Sequence, residues 1–266
     1  MQNTSTYKAG YASVNGINMY YEIHGAGQPL VLIHGGGSTI HTSFGRILPF
    51  LAKTHMAIAV ELQAHGRTSD RDAPETFEQD ANDVAELLNQ LNINAADVFG
   101  FSNGGQTAMQ LAIHHPQKVK RLIVGSAFYK KDAVPAGFWE GMAKATFDDM
   151  PQVFKDDFLR VNNDPSALLN MFHRDVHRMQ TFTDWSDDDI RSIAAPTLLI
   201  LGDNDVLSPE HAVAMWRLIP DCKLAILPGE HGTYLGEITT LSNGNWRQEY
   251  AVQLIEAFLE GSGKIK

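Results

Sequence analysis

The chain has 266 residues, 44% of them hydrophobic and 20% charged, with a formal net charge of −10. That acidity disfavours nucleic acid and anionic membrane surfaces as partners, and the length suits one large α/β domain or two small ones. The single cysteine, Cys222, has no partner for an internal disulfide, no run approaches the ~20 apolar residues of a membrane span, and the opening residues lack a signal-peptide core, so the cytoplasm is the expected compartment.

Apolar, β-branched runs alternate with helical patterns, as in a mostly parallel sheet with helices on both faces. Tyr11 to Val14 and Ile17 to Ile23 flank Asn15-Gly16 and read as a hairpin. Leu30 to Ile33 and Met56 to Val60 follow as short buried strands. Phe77 to Leu91 carries Val84, Leu87, Leu88 and Leu91 at helical spacing. Asp97 to Phe101 is the next strand, and Asn103 to His115 a helix stopped by Pro116. Val119 to Ser126, Thr197 to Leu201 and Lys223 to Leu227 complete the strands. Ser208-Pro209 has the form of an N-cap with proline at the first helical position. Trp246 to Leu259 reads as an amphipathic helix. Residues 129 to 194 hold no strand pattern but many aromatics and methionines, from Phe138 to Trp185, which fits a helical insertion after the sixth strand. Residues 1–128 and 195–266 then form the core.

The run Gly-Phe-Ser-Asn-Gly at 100–104 ends a strand and opens a helix. It has the G-x-S-x-G form of a nucleophile elbow, whose strained turn thrusts the Ser102 hydroxyl above the sheet. Glycines two positions before and after are required because strand and helix nearly touch there. An elbow serine needs a base, and the base needs a carboxylate, in the chain order serine, acid, histidine. Of 11 histidines only His211 and His231 lie beyond the insertion. His211 falls one turn into the helix after Ser208 and is expected to be solvated. His231 stands in a loop directly after the last strand, on the rim where open α/β sheets build their sites. Asp203 and Asp205 both follow the strand ending at Leu201. Asp205, deeper in the loop, is the expected acid and Asp203 a loop brace. Glu230 adjoins the base and is assigned to the surface. For the oxyanion, the backbone N–H of Asn103 lies at a helix N-terminus. His34-Gly35-Gly36-Gly37 supplies a second donor, with Gly36 first choice and Gly37 the alternative.

These motifs, in this order across nearly the whole chain, resemble the α/β-hydrolase family. The resemblance implies an eight-stranded, mostly parallel sheet, a triad of Ser102, Asp205 and His231, a helical cap over residues 129–194, and no cofactor. The chain departs from the family at Glu61-Leu62-Gln63-Ala64-His65-Gly66-Arg67, where an aspartate and an extra glycine are common. Gly232 to Asn245 is also long, and is expected to shape the site entrance.

The leading function is serine hydrolysis of a small, largely apolar carboxylic ester or lactone. Rivals on the same fold are carbon–carbon bond hydrolysis of a diketone and cofactor-free perhydrolysis; a ligand receptor with a retained triad is the rival of another class. Diketone cleavage would favour a cationic clamp from the cap, and Arg160, Arg174, Arg178 and Arg191 are its candidates. His173 and His177 share a helix face but lack a third ligand, so no metal is expected. His34 and His65 read as loop braces, and Asp187-Asp188-Asp189 as the start of a helix. The expected partner is a small-molecule ester or related carbonyl compound; a homodimer is compatible with the composition.

Overall fold

The branched, apolar runs pair as eight strands: β1 (Lys8–Val14), β2 (Ile17–His24), β3 (Gln28–Ile33), β4 (His55–Val60), β5 (Ala96–Phe101), β6 (Val119–Gly125), β7 (Thr197–Gly202) and β8 (Cys222–Leu227). They form one sheet in the order β1-β2-β4-β3-β5-β6-β7-β8. The β1–β2 and β2–β4 pairs are antiparallel, and every later pair is parallel. The computed structural model describes residues 7–241 and 248–261.

Helices follow the expected alternation. α1 (Ile40–Phe44) and α2 (Leu48–Leu51) come after β3, α3 (Phe77–Gln90) before β5, and α4 (Asn103–His114) after it. α5 (Ala136–Lys144), α6 (Gln152–Val161), α7 (Pro165–Thr181) and α8 (Asp187–Arg191) fill the stretch between β6 and β7. α9 (Pro209–Leu218) joins β7 to β8, and α10 (Gln248–Leu259) follows; Trp246, the expected start of that helix, lies outside the described residues. No described helix is long and apolar enough to cross a membrane.

Every residue of β5 and β7 is buried, the consequence of a sheet covered on both faces. The alternation of side chains splits the core accordingly. Val31, Ile33 and Val98 pack with α3 and α4 on one face, while Leu30, Leu32 and Phe99 pack with α1, α2 and α10 on the other. The stretch between β6 and β7 has its own small core, Met150, Phe158, Leu168, Met171 and Phe172. It joins the sheet domain through Phe128, Met179, Phe182 and Leu201. Its aromatics are thus largely spent on packing, as exposed patches of that size would be a liability.

Parallel strands place their carboxyl ends on one rim. Gly36 follows β3 there, Ser102 follows β5, Ser126 follows β6, Asp205 follows β7 and His231 follows β8. Five segments far apart in sequence therefore deliver side chains to one place.

Candidate active site

Ser102 sits at φ 54° and ψ −125°, a conformation L-residues avoid. Its N–H donates to Gly125 O at 2.8 Å, fixing the turn to the neighbouring strand. A side chain on Gly104 would collide with the backbone of Ile33 and His34, and one on Gly100 with the backbone of Gly104 and Gly105. The flanking glycines are there because strand and helix touch, as the motif requires. Among the described residues the Ser102 hydroxyl has no hydrogen-bond partner, and Ser102 lines a cavity of about 340 Å³.

Asp205 is fully buried at its carboxylate and accepts four hydrogen bonds. Oδ2 receives Gly202 N–H at 3.1 Å and the Ser126 hydroxyl at 2.6 Å. Oδ1 receives Val206 N–H at 2.7 Å and His231 Nδ1 at 2.6 Å. Burial pushes this carboxyl upward, but the bonds from His231, Ser126 and Gly202 outweigh it and hold Asp205 below the usual range. An ionised Asp205 fixes the tautomer of His231: Nδ1 carries the proton, leaving Nε2 bare as an acceptor. Phe101 lies against the imidazole with ring centroids 4.9 Å apart. His231 and Ser102 line the same cavity, with no hydrogen bond between them; such bonds commonly tighten only on substrate binding.

Asp203 braces the loop as expected, its Oδ1 accepting Gly229 N–H at 2.8 Å. Ser126 and Tyr234 were not anticipated. The Ser126 and Tyr234 oxygens lie 3.0 Å apart, extending the support of Asp205 inward. Of the long stretch after His231, the described part (232–241) packs Tyr234 and Leu235 into the core and is not among the residues lining the cavity; residues 242–245 lie outside the described residues. His211 is a correction: it is 7% exposed, not solvated, because its Nε2 accepts Tyr129 N–H at 3.3 Å and its ring packs on Tyr129. Burial lowers its pKa to about 4, so it stays neutral.

The oxyanion candidates separate clearly. Gly37 N–H is taken by Asp175 Oδ2 at 2.5 Å. Gly36 and Asn103 both line the cavity, and among the described residues neither backbone N–H has an acceptor. His34 props this loop, with Nδ1–H donating to Gly35 O at 2.7 Å and Nε2 accepting Leu62 N–H at 3.0 Å. Burial drops its pKa to about 3, which keeps it neutral in that role.

Asp175, on α7, is the residue that sequence reading missed. Besides Gly37 it accepts from His65 Nε2 at 3.0 Å, from Asn103 Nδ2 at 3.4 Å and from Arg178. Arg178 in turn meets Asp80 at 2.8 Å and Glu75 at 3.1 Å. Burial pushes the Asp175 carboxyl upward, but His65 and Arg178 override it and hold Asp175 far below the carboxylate range. His65, Glu75 and Asp175 come close enough to share a cation. The Arg178 guanidinium among them already supplies the positive charge, so the set suits an ion-pair network better than a metal. The other candidate clamps are likewise engaged: Arg174 with Asp70, Arg160 with Asp157, and Arg191 with Asp187 and Asp188. None of the four arginines lines the cavity. His173 and His177 are exposed on the outer face of α7, as expected.

Most of the remaining wall is apolar, with Phe128, Phe138, Met142, Met150, Phe154 and Phe172 prominent and Gln106 and Asp149 its polar members. Such a lining, with a few placed polar groups, is the usual form of a small-molecule site.

A family model described as the alpha/beta hydrolase fold matches residues 28–180. Among curated proteins, the dihydrolipoyllysine-residue acetyltransferase component of the acetoin cleaving system of Cupriavidus necator is 38% identical over 136 residues; the match takes in 51% of this chain and 36% of that protein's length. The 2-hydroxymuconate semialdehyde hydrolase of Pseudomonas sp. strain CF600 is 29% identical over 216 residues, covering 73% of this chain and 76% of the relative. Among solved structures, the enol-lactonase of Burkholderia xenovorans LB400 superposes with a TM-score of 0.74 at 19% identity, over 94% of this chain and 99% of that one. That last likeness is one of fold.

Proposed function

Because the chain belongs to the alpha/beta hydrolase fold family, we propose that it is a serine hydrolase cleaving a small, largely apolar carboxylic ester or lactone through an acyl-enzyme on Ser102. The observation that carries this reading is the 2.6 Å bond from His231 Nδ1 to a saturated Asp205 carboxylate, which leaves Nε2 free as a base in the cavity that holds Ser102. An inert scaffold has no need of that polarity.

In the proposed reaction, His231 Nε2 takes the Ser102 proton as Oγ attacks the scissile carbonyl. The oxyanion is received by the N–H groups of Gly36 and Asn103, the second at the positive end of α4. Asp205 stabilises the imidazolium without itself taking the proton. His231 then protonates the departing alcohol, and activates the water that cleaves the acyl-enzyme. Residues 129–194 act as the cap, closing the cavity from above with the side chains of α5, α6 and α7.

The likeness to a semialdehyde hydrolase raises carbon–carbon cleavage as the alternative. A dienoate diketone carries a carboxylate, and no lysine or arginine lines this cavity among the described residues; a neutral ester or lactone suits it better. The test is labelling with a fluorophosphonate, followed by a chain-length series of aryl esters. Ser102→Ala is expected to lose labelling and to lower kcat by about 10⁴-fold or more while melting near the wild-type temperature. Retained turnover in that variant overturns the proposal.

A further inference from the structure

One side chain of the cavity wall is left over once the proposed chemistry is accounted for. Gln106 lies in the first turn of α4, which begins at Asn103 directly after Ser102. It lines the cavity and is only 1% exposed. Among the described residues its Nε2 has no hydrogen-bond partner. A buried amide left in that state is destabilising, so the position is a poor one for glutamine unless something in the cavity accepts from it.

The neighbouring polar groups do not compete for that role. Asn103 Nδ2 is turned to Asp175, and the Ser126 hydroxyl donates to Asp205. The ionisable side chains on the wall are Asp149, Asp175 and His231. With no cation to meet it and an ionised Asp175 nearby, an anionic group would be repelled. The acceptor is therefore neutral. It also belongs to the acyl part of the substrate, because that part stays tethered to Ser102 through both half-reactions while Gln106 stands in the first turn of the helix that Ser102 opens.

Resting on the serine-hydrolase reading above, we propose that Gln106 is a specificity-determining residue, whose side-chain amide donates to a neutral ether, hydroxyl or carbonyl oxygen a few bonds from the scissile carbonyl. The preferred substrate is then an oxygenated acyl ester or lactone in place of a plain fatty ester.

The test compares three p-nitrophenyl esters of equal chain length: the pentanoate, the ethoxyacetate and the 3-methoxypropanoate, in which an ether oxygen replaces one methylene. Each kcat/KM is divided by the ester's rate of alkaline hydrolysis to remove intrinsic reactivity. Wild type is expected to prefer at least one oxa ester over pentanoate. In Gln106→Met, which keeps the length and loses the amide, that preference is expected to fall about fivefold, the worth of one neutral hydrogen bond. Gln106→Ala provides the same ratio should the methionine variant fold poorly, and measurable pentanoate cleavage certifies each variant as folded. A wild type without oxa preference, or a preference unchanged in the variants, overturns the inference. If wild type cleaves none of the esters, or if cleavage survives Ser102→Ala, the serine-hydrolase reading itself fails and this inference falls with it.

Discussion

Replacing Asp175 by asparagine tests whether the insertion between β6 and β7 does more than cover the cavity. The carboxylate, at 9% residue exposure, is the point where α7 meets Gly37, His65, Asn103 and Arg178. Removing one member of a buried ion pair costs about 3–5 kcal/mol, because the partner charge is left uncompensated. Asparagine still accepts from Gly37 N–H, and Arg178 keeps Glu75 and Asp80, so the lower end, about 3 kcal/mol, is expected. For a chain of this size that lowers Tm by roughly 5–10 °C. Activity should fall as well, by about tenfold in kcat for a good aryl ester, because Gly37 and Asn103 adjoin the two N–H groups assigned to the oxyanion. Asp157→Asn is the control. Asp157 also ties the insertion to the core, through Thr39 at 2.5 Å and His41 at 2.8 Å, but touches neither Gly37 nor Asn103. It should lower Tm and leave kcat in place. If Asp175→Asn melts within about 1 °C of wild type with full kcat, the network carries neither stability nor position, and the reasoning is wrong.

Two further outcomes follow from the same region. Burial pushes His65 down, but the Asp175 carboxylate beside it, with Glu75 adding to the effect, raises it from the ordinary 6.5 to about 9. A raised folded-state value means that stability is fully present below about pH 6.5 and is lost as pH rises through about 9, a contribution on the order of 3 kcal/mol. Urea unfolding of wild type and His65→Gln at pH 6.5, 7.5 and 9 should show their difference shrinking across that window; a constant difference refutes the assignment of the charge to His65. At Gly36, an added Cβ would press into the Asn103 side-chain amide, displacing one of the two free N–H groups. Gly36→Ala should therefore keep the fold by circular dichroism and lose at least about tenfold in kcat with little change in KM. Wild-type kcat in this variant would remove Gly36 from the oxyanion role.

The residues that sequence reading placed on the rim are those dictated by strand ends and turn chemistry. The glycines around Ser102, the two aspartates after β7 and the histidine after β8 each announce themselves within a few positions, and parallel pairing does the rest. Ser126 carried no such mark, because a serine one residue past β6 looks like any strand terminus until Asp205 is seen to lie 2.6 Å away. His211 misled for the converse reason. Helical position alone suggests solvent, whereas the contact that buries it comes from Tyr129, 82 residues earlier.

Asp175 was legible in principle. On α7, Leu168, Met171, Phe172 and Met179 are buried at the spacing of one apolar stripe, and Asp175 falls on that stripe four residues after Met171 and three after Phe172. A carboxylate among residues that must be buried is costly unless paired, so its position predicts a buried cation nearby, and Arg178 stands one turn further on. His173 and His177, the i, i+4 pair, mark the opposite, exposed face. Gln106 and Gln110 are the same kind of signal on α4, where every residue from Asn103 to Ala112 is buried. A polar side chain kept where periodicity demands an apolar one marks either an ion-pair network or a ligand contact. Partners separate the two cases: Asp175 has all of its own within the protein, whereas Gln106, on the cavity wall, has an Nε2 with none among the described residues. On that ground the first is assigned to holding the site together and the second to recognising what enters it.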